Sequence, residues 1–373
     1  MSLSIRPVQD RADLKRFIEF PWQIYRDDPN WVPPLKADVS KLLTPGQHPF
    51  HEHAEVQPFL ALRDGKVVGR VVAHLNQAHN EFHGDKAGFF GFHDALREDD
   101  EASAALFSEA FSWLKARGRT HALGPFELST NESCGLLVDG EPGPPVIMMN
   151  YNPPWYPERY EAAGLRKAKD LLAFKVRRSQ ELDRLLSLAD KLMRRHGVRL
   201  RKLNMKDFSN EVDRILALYN RCWEKNWGFV PMSEGEVRHF ASELRYGIDP
   251  DVVFFLEDEK SGEAHGFILA LPDLNVALKE ANGRLFPFGL LKILWYKRKI
   301  DGIRVVTLGI VPEMRGKGLD GVLIQAVVKA GLAKGYDWAE CSWVLEDNLP
   351  MIVPLQKFAG EPYRTYRIYQ REL

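Results

Sequence analysis

The stretch that most constrains this chain is Thr307–Gln325, T-L-G-I-V-P-E-M-R-G-K-G-L-D-G-V-L-I-Q. An apolar run of strand character enters a loop of Arg315, Gly316, Lys317 and Gly318, and a helical pattern begins at once. The first turn of a helix leaves backbone N–H groups without intrahelical partners, and the helix dipole adds positive character there. Gly316 and Gly318 let the backbone curl around an anion without Cβ clashes, and Arg315 and Lys317 add charge. The arrangement predicts a phosphate- or pyrophosphate-binding turn between a strand and a helix.

Two device types fit such a turn. Gly316-Lys-Gly318-Leu-Asp-Gly321 reads literally as G-x-G-x-x-G, the dinucleotide fingerprint. That fingerprint needs its first Gly directly off the strand, whereas Pro312-Glu-Met-Arg315 intervenes here. Only 52 residues follow Gly321, too few for the rest of a nucleotide-binding sheet. The better match is to another family. V-P-E-M-R-G-K-G-L ahead of a helix resembles the pyrophosphate loop of the GNAT superfamily of acyl-CoA N-acyltransferases, Arg/Gln-x-x-Gly-x-Gly/Ala. Arg315, Gly316, Lys317, Gly318 and Leu319 occupy the matching positions, and Lys357-Phe-Ala-Gly360 resembles the family's Lys-x-Gly-Phe segment. These motifs cover about Val305–Gly360, and the order of elements extends the resemblance over Val198–Leu373.

The resemblance implies an α/β (α+β) fold, a mixed, splayed sheet flanked by helices. Acetyl-CoA or another acyl-CoA would lie between the strands Ile303–Val311 and Ala339–Val344, its pyrophosphate on the loop. Backbone N–H groups at Ile310 or Val311 are implied as holders of the thioester carbonyl, and Asn348 as a contact for the pantetheine arm. The implied reaction is transfer of an acyl group, acetyl in the first instance, to a small-molecule or peptide amine. Two positions depart from the family. Asp320 stands where Gly or Ala is usual. A carboxylate ~5 Å from a phosphate costs on the order of 1–3 kcal/mol at an effective dielectric near 20, so Asp320 is read as a helix cap pointing away. Leu355 replaces the Tyr that many members use to protonate the departing thiolate. Thiols ionise near pH ~8.5, so the thiolate can leave unaided.

Amine acylation also needs a proton acceptor. Glu346, at the end of its strand, is the first choice and Asp273 the second, and Tyr366, with Tyr363 and Tyr369, is a substitute for the missing acid. A solvated turn for Glu346 and strand packing for the tyrosines are the plainer alternatives. The cluster His48-Pro-Phe-His51-Glu-His53 lacks metal-ligand spacing, and no metal is expected.

The rest of the chain alternates strands and helices twice over, predicting tandem GNAT-like domains at 1–178 and 179–373. In the first, Phe59–Arg63 and Val67–Ala73 form a hairpin through Asp64-Gly65, Gly88–Phe92 is a strand and Glu101–Arg117 a helix. Where an Arg/Gly loop belongs, this half has Arg97-Glu-Asp-Asp-Glu101, four acids that would repel a pyrophosphate, so it is expected to bind no CoA. Gln180–His196 reads as a connecting helix, and Tyr363–Tyr369 as the closing strand of the second half.

Lys+Arg and Asp+Glu both number 51, so no global field draws the protein to nucleic acid, and none is expected as a partner. Three scattered cysteines, no charged-then-apolar leader and no bilayer-length apolar run point to the cytoplasm. Phe288–Arg304 mixes Leu, Ile and Trp with Lys and Arg, a pattern that can dock a membrane surface or an acidic carrier, or simply cover a sheet. Two rival functions therefore stay open: a non-catalytic acyl-CoA-binding or structural role, and transfer involving acyl carrier protein or an aminoacyl-tRNA.

Overall fold

The computed structural model describes residues 2–178 and 188–373. In chain order its elements are β1 (Leu3–Pro7), α1 (Arg11–Glu19), α2 (Pro21–Ile24), α3 (Lys36–Leu43), β2 (Ala54–Arg63), β3 (Lys66–Asn76), α4 (Gln77–His83), β4 (Ala87–Ala95), α5 (Asp100–Ala116), β5 (His121–Gly124), β6 (Leu136–Gly140), α6 (Tyr156–Ala162) and β7 (Arg166–Arg177). There follow α7 (Ala189–His196), β8 (Val198–Lys202), α8 (Phe208–Trp223), α9 (Glu234–Leu244), β9 (Val253–Asp258), β10 (Ala264–Pro272), α10 (Asn275–Ala281), α11 (Gly289–Tyr296), β11 (Gly302–Ile310), α12 (Leu319–Ala333), β12 (Trp338–Leu345), α13 (Leu349–Ala359) and β13 (Arg364–Glu372).

By compactness the chain divides into two units, Met1–Leu171 with Ala277–Tyr296 and Arg364–Leu373, and Leu172–Val276 with Lys297–Tyr363. The boundary expected after Arg178 adjoins residues 179–187, outside the described residues, as does the first half of the connecting helix; α7 is its remainder.

Both units repeat one pairing scheme. In the first, β1–β2, β2–β3 and β3–β4 are antiparallel and β4–β5 is parallel. In the second, β8–β9, β9–β10 and β10–β11 are antiparallel and β11–β12 is parallel. A helix joins each parallel pair, α5 in one unit and α12 in the other, as a parallel connection requires. α5 buries Ala102, Leu106, Ala110 and Leu114, spaced four apart, against β3 and its neighbours. α12 likewise buries Val322, Leu323 and Val327 against Phe254, Ile268 and Ile303.

Two features of the first unit escaped the sequence. β1 and α1 precede the expected first hairpin, and β6 occupies part of what reads as a Pro/Gly loop. β13, expected to close the second half, pairs with β5 (Tyr369 opposite Gly124) and with β6 (Tyr366 opposite Leu137) inside the first unit. Strand partners are chosen by non-local register, which local periodicity does not encode.

The parallel pairs end differently. In the first unit the β4–β5 register runs to Phe89 opposite Leu123, and the Phe126 N–H then donates to the Phe90 carbonyl at 2.8 Å. A Cβ on Gly91 would lie 1.8 Å from the Phe126 carbonyl oxygen, so these chains are in direct backbone contact. The acidic run is also occupied. Asp99 caps α5 by accepting from the Ala102 N–H at 3.0 Å, and Arg63 pairs with Asp99 and Glu101 at 2.7 and 2.8 Å. The Arg63 guanidinium, with further help from the Ala102 N–H, holds the Asp99 carboxyl below the usual carboxylate range.

A group whose folded pKa is depressed stabilises above its unfolded pKa and loses that contribution as pH falls through the folded value. Asp99→Ala should therefore cost about 1–2 kcal/mol at neutral pH, typical for a lost cap. Denaturant titrations should show the gap to wild type closing as pH drops below about 4, the unperturbed Asp value. A gap that does not narrow in acid would contradict this account.

Candidate functional site

In the second unit the β11–β12 register stops at Val305 opposite Cys341. β11 continues through Val306–Ile310 and β12 through Ser342–Leu345 without pairing to each other. A bulge accompanies the parting: Leu269 opposes Thr307 and Ala270 opposes Val305, so Val306 is the extra residue. Bulges bend the strand that carries them. A cleft, open to solvent at its mouth, forms where the strands separate.

The cleft draws walls from both faces of the sheet. Ile324 and Val327 of α12, with Met351 and Leu355 of α13, line one side; Trp223 at the end of α8 lines the other. Trp223 stacks on Tyr219 and meets the Phe267 ring at 5.8 Å. A Cβ at Gly309 would sit 2.4 Å from its indole, so glycine lets α8 approach the strand. Leu355, where a catalytic tyrosine was looked for, is 3% exposed and packs with Phe174, Val176 and Val344.

Against this apolar lining two polar atoms stand out. Thr307 Oγ1 on β11 and Trp343 Nε1 on β12 are buried with no hydrogen-bond partner among the described residues, and both residues line the cleft. Each lies two positions beyond the last residue of its strand in the β11–β12 pairing. Unsatisfied buried donors are rare because each costs about 1–3 kcal/mol. The Arg304 guanidinium lies 4.9 Å from the Trp343 ring centroid. Arg304 also donates to Ser342 Oγ at 3.1 Å, and Ser342 Oγ donates to Glu340 at 2.6 Å. Tyr363 donates its hydroxyl proton to the second oxygen of Glu340. Arg304 and Glu340 are register partners, almost wholly buried and linked through the Ser342 hydroxyl. None of this network was legible as function. A buried Arg, Glu and Ser on two strands looks in sequence like solvated alternation.

The loop follows β11 at the end where the strands part. Gly316 and Gly318 both have φ of 72°, the left-handed region that glycine alone enters freely. Gly318 is the N-cap of α12, with no side-chain cap bond, and buried Leu319 anchors the helix start. Asp320, read from sequence as the cap, lies inside the first turn instead. Arg315 turns back towards the fold: its guanidinium donates to the carbonyls of Ile310 at 3.0 Å and Cys222 at 2.7 Å, clamping the loop to β11 and α8. Lys317 Nζ lies 3.1 Å from Met314 Sδ. The contrast with α5 is direct, since Asp99 fills the N-terminus there whereas glycine leaves it open here.

The other expected site residues disperse. The Val311 N–H donates to the His265 carbonyl at 2.9 Å, so it is already engaged and does not offer the carbonyl-holding donor expected of it. Ile310 is buried opposite Gly266. Asn348 lines the cleft at the start of α13. Glu346 is half-buried one residue beyond β12, at the parted end, and is not among the lining residues. Asp273 follows β10 where Pro272 opposes Ile303, the opposite end of β11, and its carboxylate accepts from the Asn275 N–H at 3.3 Å. Tyr366 is fully buried on β13 in the first unit and does not line the cleft. Cys341 lines it, but burial and then the Glu340 carboxylate push its thiol up to about 12, which leaves it protonated at neutral pH and a poor nucleophile.

A twice-repeated sheet whose second copy parts beside a glycine-rich helix start is the fold of tandem GNAT proteins. The chain superposes on a tandem GNAT protein from the clavulanic acid biosynthesis pathway with a TM-score of 0.60 at 14% identity, covering 100% of this chain and 98% of that one. A GCN5-related N-acetyltransferase from Sphaerobacter thermophilus gives a TM-score of 0.54 at 12% identity, covering 99% and 95%. No family model matches the sequence. By sequence the chain belongs to the family of two full-length relatives. The bacterial ceramide synthase of Caulobacter vibrioides (strain NA1000 / CB15N) is 40% identical over 379 residues, 100% of this chain and 98% of that protein. Protein YghO of Escherichia coli (strain K12) is 35% identical over 378 residues, 99% and 95%.

The loop geometry separates its glycines. Gly318→Ala forces a side chain into the left-handed region, a penalty of about 1–2 kcal/mol. Gly321, on the helix with nothing within 4 Å of a Cβ, should instead gain about 0.5–1 kcal/mol on substitution by Ala. Thermal melts of the two variants should move in opposite directions, and shifts of the same sign would contradict the backbone assignment.

Proposed function

We propose that this protein is an acyl-CoA-dependent N-acyltransferase that joins a fatty acyl group to the amine of a long-chain amino alcohol, forming a ceramide-type amide. The observation that carries the reading is the parted β11–β12 pair, opening an apolar cleft beside an uncapped helix start with two left-handed glycines. The name of the Caulobacter relative, similar over its whole length, supports the amide product. The apolar lining favours a fatty over an acetyl donor, since each buried methylene is worth about 0.8 kcal/mol.

The residues fit the donor. Gly316, Lys317, Gly318 and the first-turn N–H groups of α12 receive the pyrophosphate, with Arg315 holding the loop in shape. Asn348 contacts the pantetheine arm. The amine nitrogen attacks the thioester carbonyl carbon, the carbon–sulfur bond breaks, and CoA leaves as a thiolate or thiol. The Thr307 hydroxyl and the Trp343 indole N–H are the donors offered to the oxygen or sulfur that gains charge. Glu346, at the parted end, takes the proton that the amine must lose. Asp273 and Tyr366 receive no role.

Purified full-length protein should release CoA from palmitoyl-CoA in the presence of sphinganine, with the N-acyl product seen by mass spectrometry and acetyl-CoA turned over at least about tenfold more slowly. Arg315→Glu with Gly318→Glu should abolish CoA binding in calorimetric titration. Thr307→Val and Trp343→Phe should each lower kcat about 10²-fold while leaving KM for acyl-CoA little changed. Glu346→Gln should keep binding and lose ~10²-fold in turnover. Unaltered CoA affinity in the loop variant would sink the whole reading; full activity of Glu346→Gln across pH would remove only the base.

A further inference from the structure

The segment after α10 carries a surface that acyl transfer does not use. α10 and the turn after it are pinned within the first unit. Trp22 Nε1 donates to Asn282 Oδ1 at 2.8 Å, the Lys36 N–H donates to the Gly283 carbonyl at 3.0 Å, and Lys279 donates to the Pro29 carbonyl. The helix α11 then begins at buried Gly289, where a Cβ would lie 1.7 Å from the Arg284 carbonyl oxygen, so its start is locked onto the preceding turn.

On this fixed base the usual amphipathic order is inverted. Leu290, Leu291, Leu294 and Trp295 form the i, i+1, i+4, i+5 face of α11 and are 53–64% exposed, whereas Gly289, Ile293 and Tyr296 turn inward. Phe286 and Phe288, ahead of the helix, are 86% and 66% exposed. Contiguous exposed apolar patches, here including Phe286, Phe288, Leu290, Leu291 and Leu294, mark interaction sites. Within the segment itself the charge has one sign, although Glu19 lies 3.9 Å from Arg284. Over 284–299 the sequence has Arg284, Lys292, Lys297, Arg298 and Lys299 and no Asp or Glu, all five cations being exposed.

We infer that this surface docks the protein on an anionic lipid membrane, with Phe286, Phe288 and the outer face of α11 entering the boundary between headgroups and acyl chains. Aliphatic and aromatic side chains flanked by cations match that boundary, where Trp is at home and Lys reaches headgroup phosphates. An acidic protein would match the cations but leave the aromatic tip unexplained; a second copy would face like charges. No helix among the described residues is long and apolar enough to cross a membrane, so such contact would be peripheral. The inference rests on the exposed surface alone, although a lipid substrate gives docking a use.

Sedimentation of the full chain with phosphatidylcholine vesicles, with and without phosphatidylglycerol, tests it. Binding should need the anionic lipid, weaken with salt, and fall at least about tenfold in Phe286→Ser/Leu291→Ser and in Arg284→Glu/Lys292→Glu. All four positions are exposed, and circular dichroism checks that the variants fold. Transfer between water-soluble short-chain substrates should be unchanged in both variants. The inference is overturned by absence of vesicle binding, by variants that bind as wild type does, or by a solution dimer that the variants abolish without changing vesicle binding. Patch-dependent binding by a protein that transfers no acyl group would uphold docking and sink the function proposed above.

Discussion

Everything about the second unit follows from hydrogen bonds that β11 and β12 stop making. A parallel pair normally satisfies its backbone along its length, and buried unpaired N–H and C=O groups cost free energy. Here the pairing ends at Val305–Cys341 with both strands still extended. The bulge at Val306 turns β11 away, Trp223 wedges against Gly309 on one face, and α12 and α13 hold the strands apart on the other. The gap is thus built from packing, and it presents edge groups that a guest can satisfy. The first unit gives the control within the same chain. There Phe126 reaches Phe90, backbone touches backbone at Gly91, and the equivalent opening is closed.

Electrostatics repeats the distinction one turn further along. Both units place a helix N-terminus after the fourth strand, and an N-terminus attracts whatever negative group is nearest. In the first unit that group is internal: Asp99, held by Arg63. In the second, glycine at the cap and the diversion of Arg315 to two carbonyls leave the amides of α12 for an external anion. On the function proposed above, a filled gap and a filled cap are what separate the first copy from the second.

The local part of this was readable from sequence, and the non-local part was not. Arg315 to Leu319 announce a strand–loop–helix anion site because the glycines and the helix start are contiguous, and their left-handed φ values follow from residue type. The clamping bonds of Arg315 were not legible, since its carbonyl partners lie five and 93 residues away. Asp273 sounded plausible as a base because it closes a strand, yet antiparallel register puts it at the wrong end of β11. Tyr366 was assigned to the second half by chain order, whereas β13 pairs within the first unit. Thr307 and Trp343 give no signal in sequence at all; what distinguishes them is a missing partner, a property only three dimensions define.

On the function proposed above, chain selection and bond formation would be separable on this scaffold. The polar groups near the parting are few: Trp343 is backed by Arg304, Arg304 by Ser342, and Ser342 by Glu340, a buried hydrogen-bonded chain behind the indole. Such a network is insensitive to what lies further along the cleft. The walls away from it, Ile324, Val327, Met351 and Leu355, are apolar and unbonded, and changing their volume alters which chains fit without touching the donors. Shortening one of these side chains creates space at about 2–5 kcal/mol of stability when nothing fills it, a cost that a longer acyl chain would partly recover by occupying the void. Preference for acyl length should therefore drift readily among related proteins while the Arg304–Ser342–Glu340 support and the glycine loop, on which geometry at the reacting carbon depends, have little freedom to change.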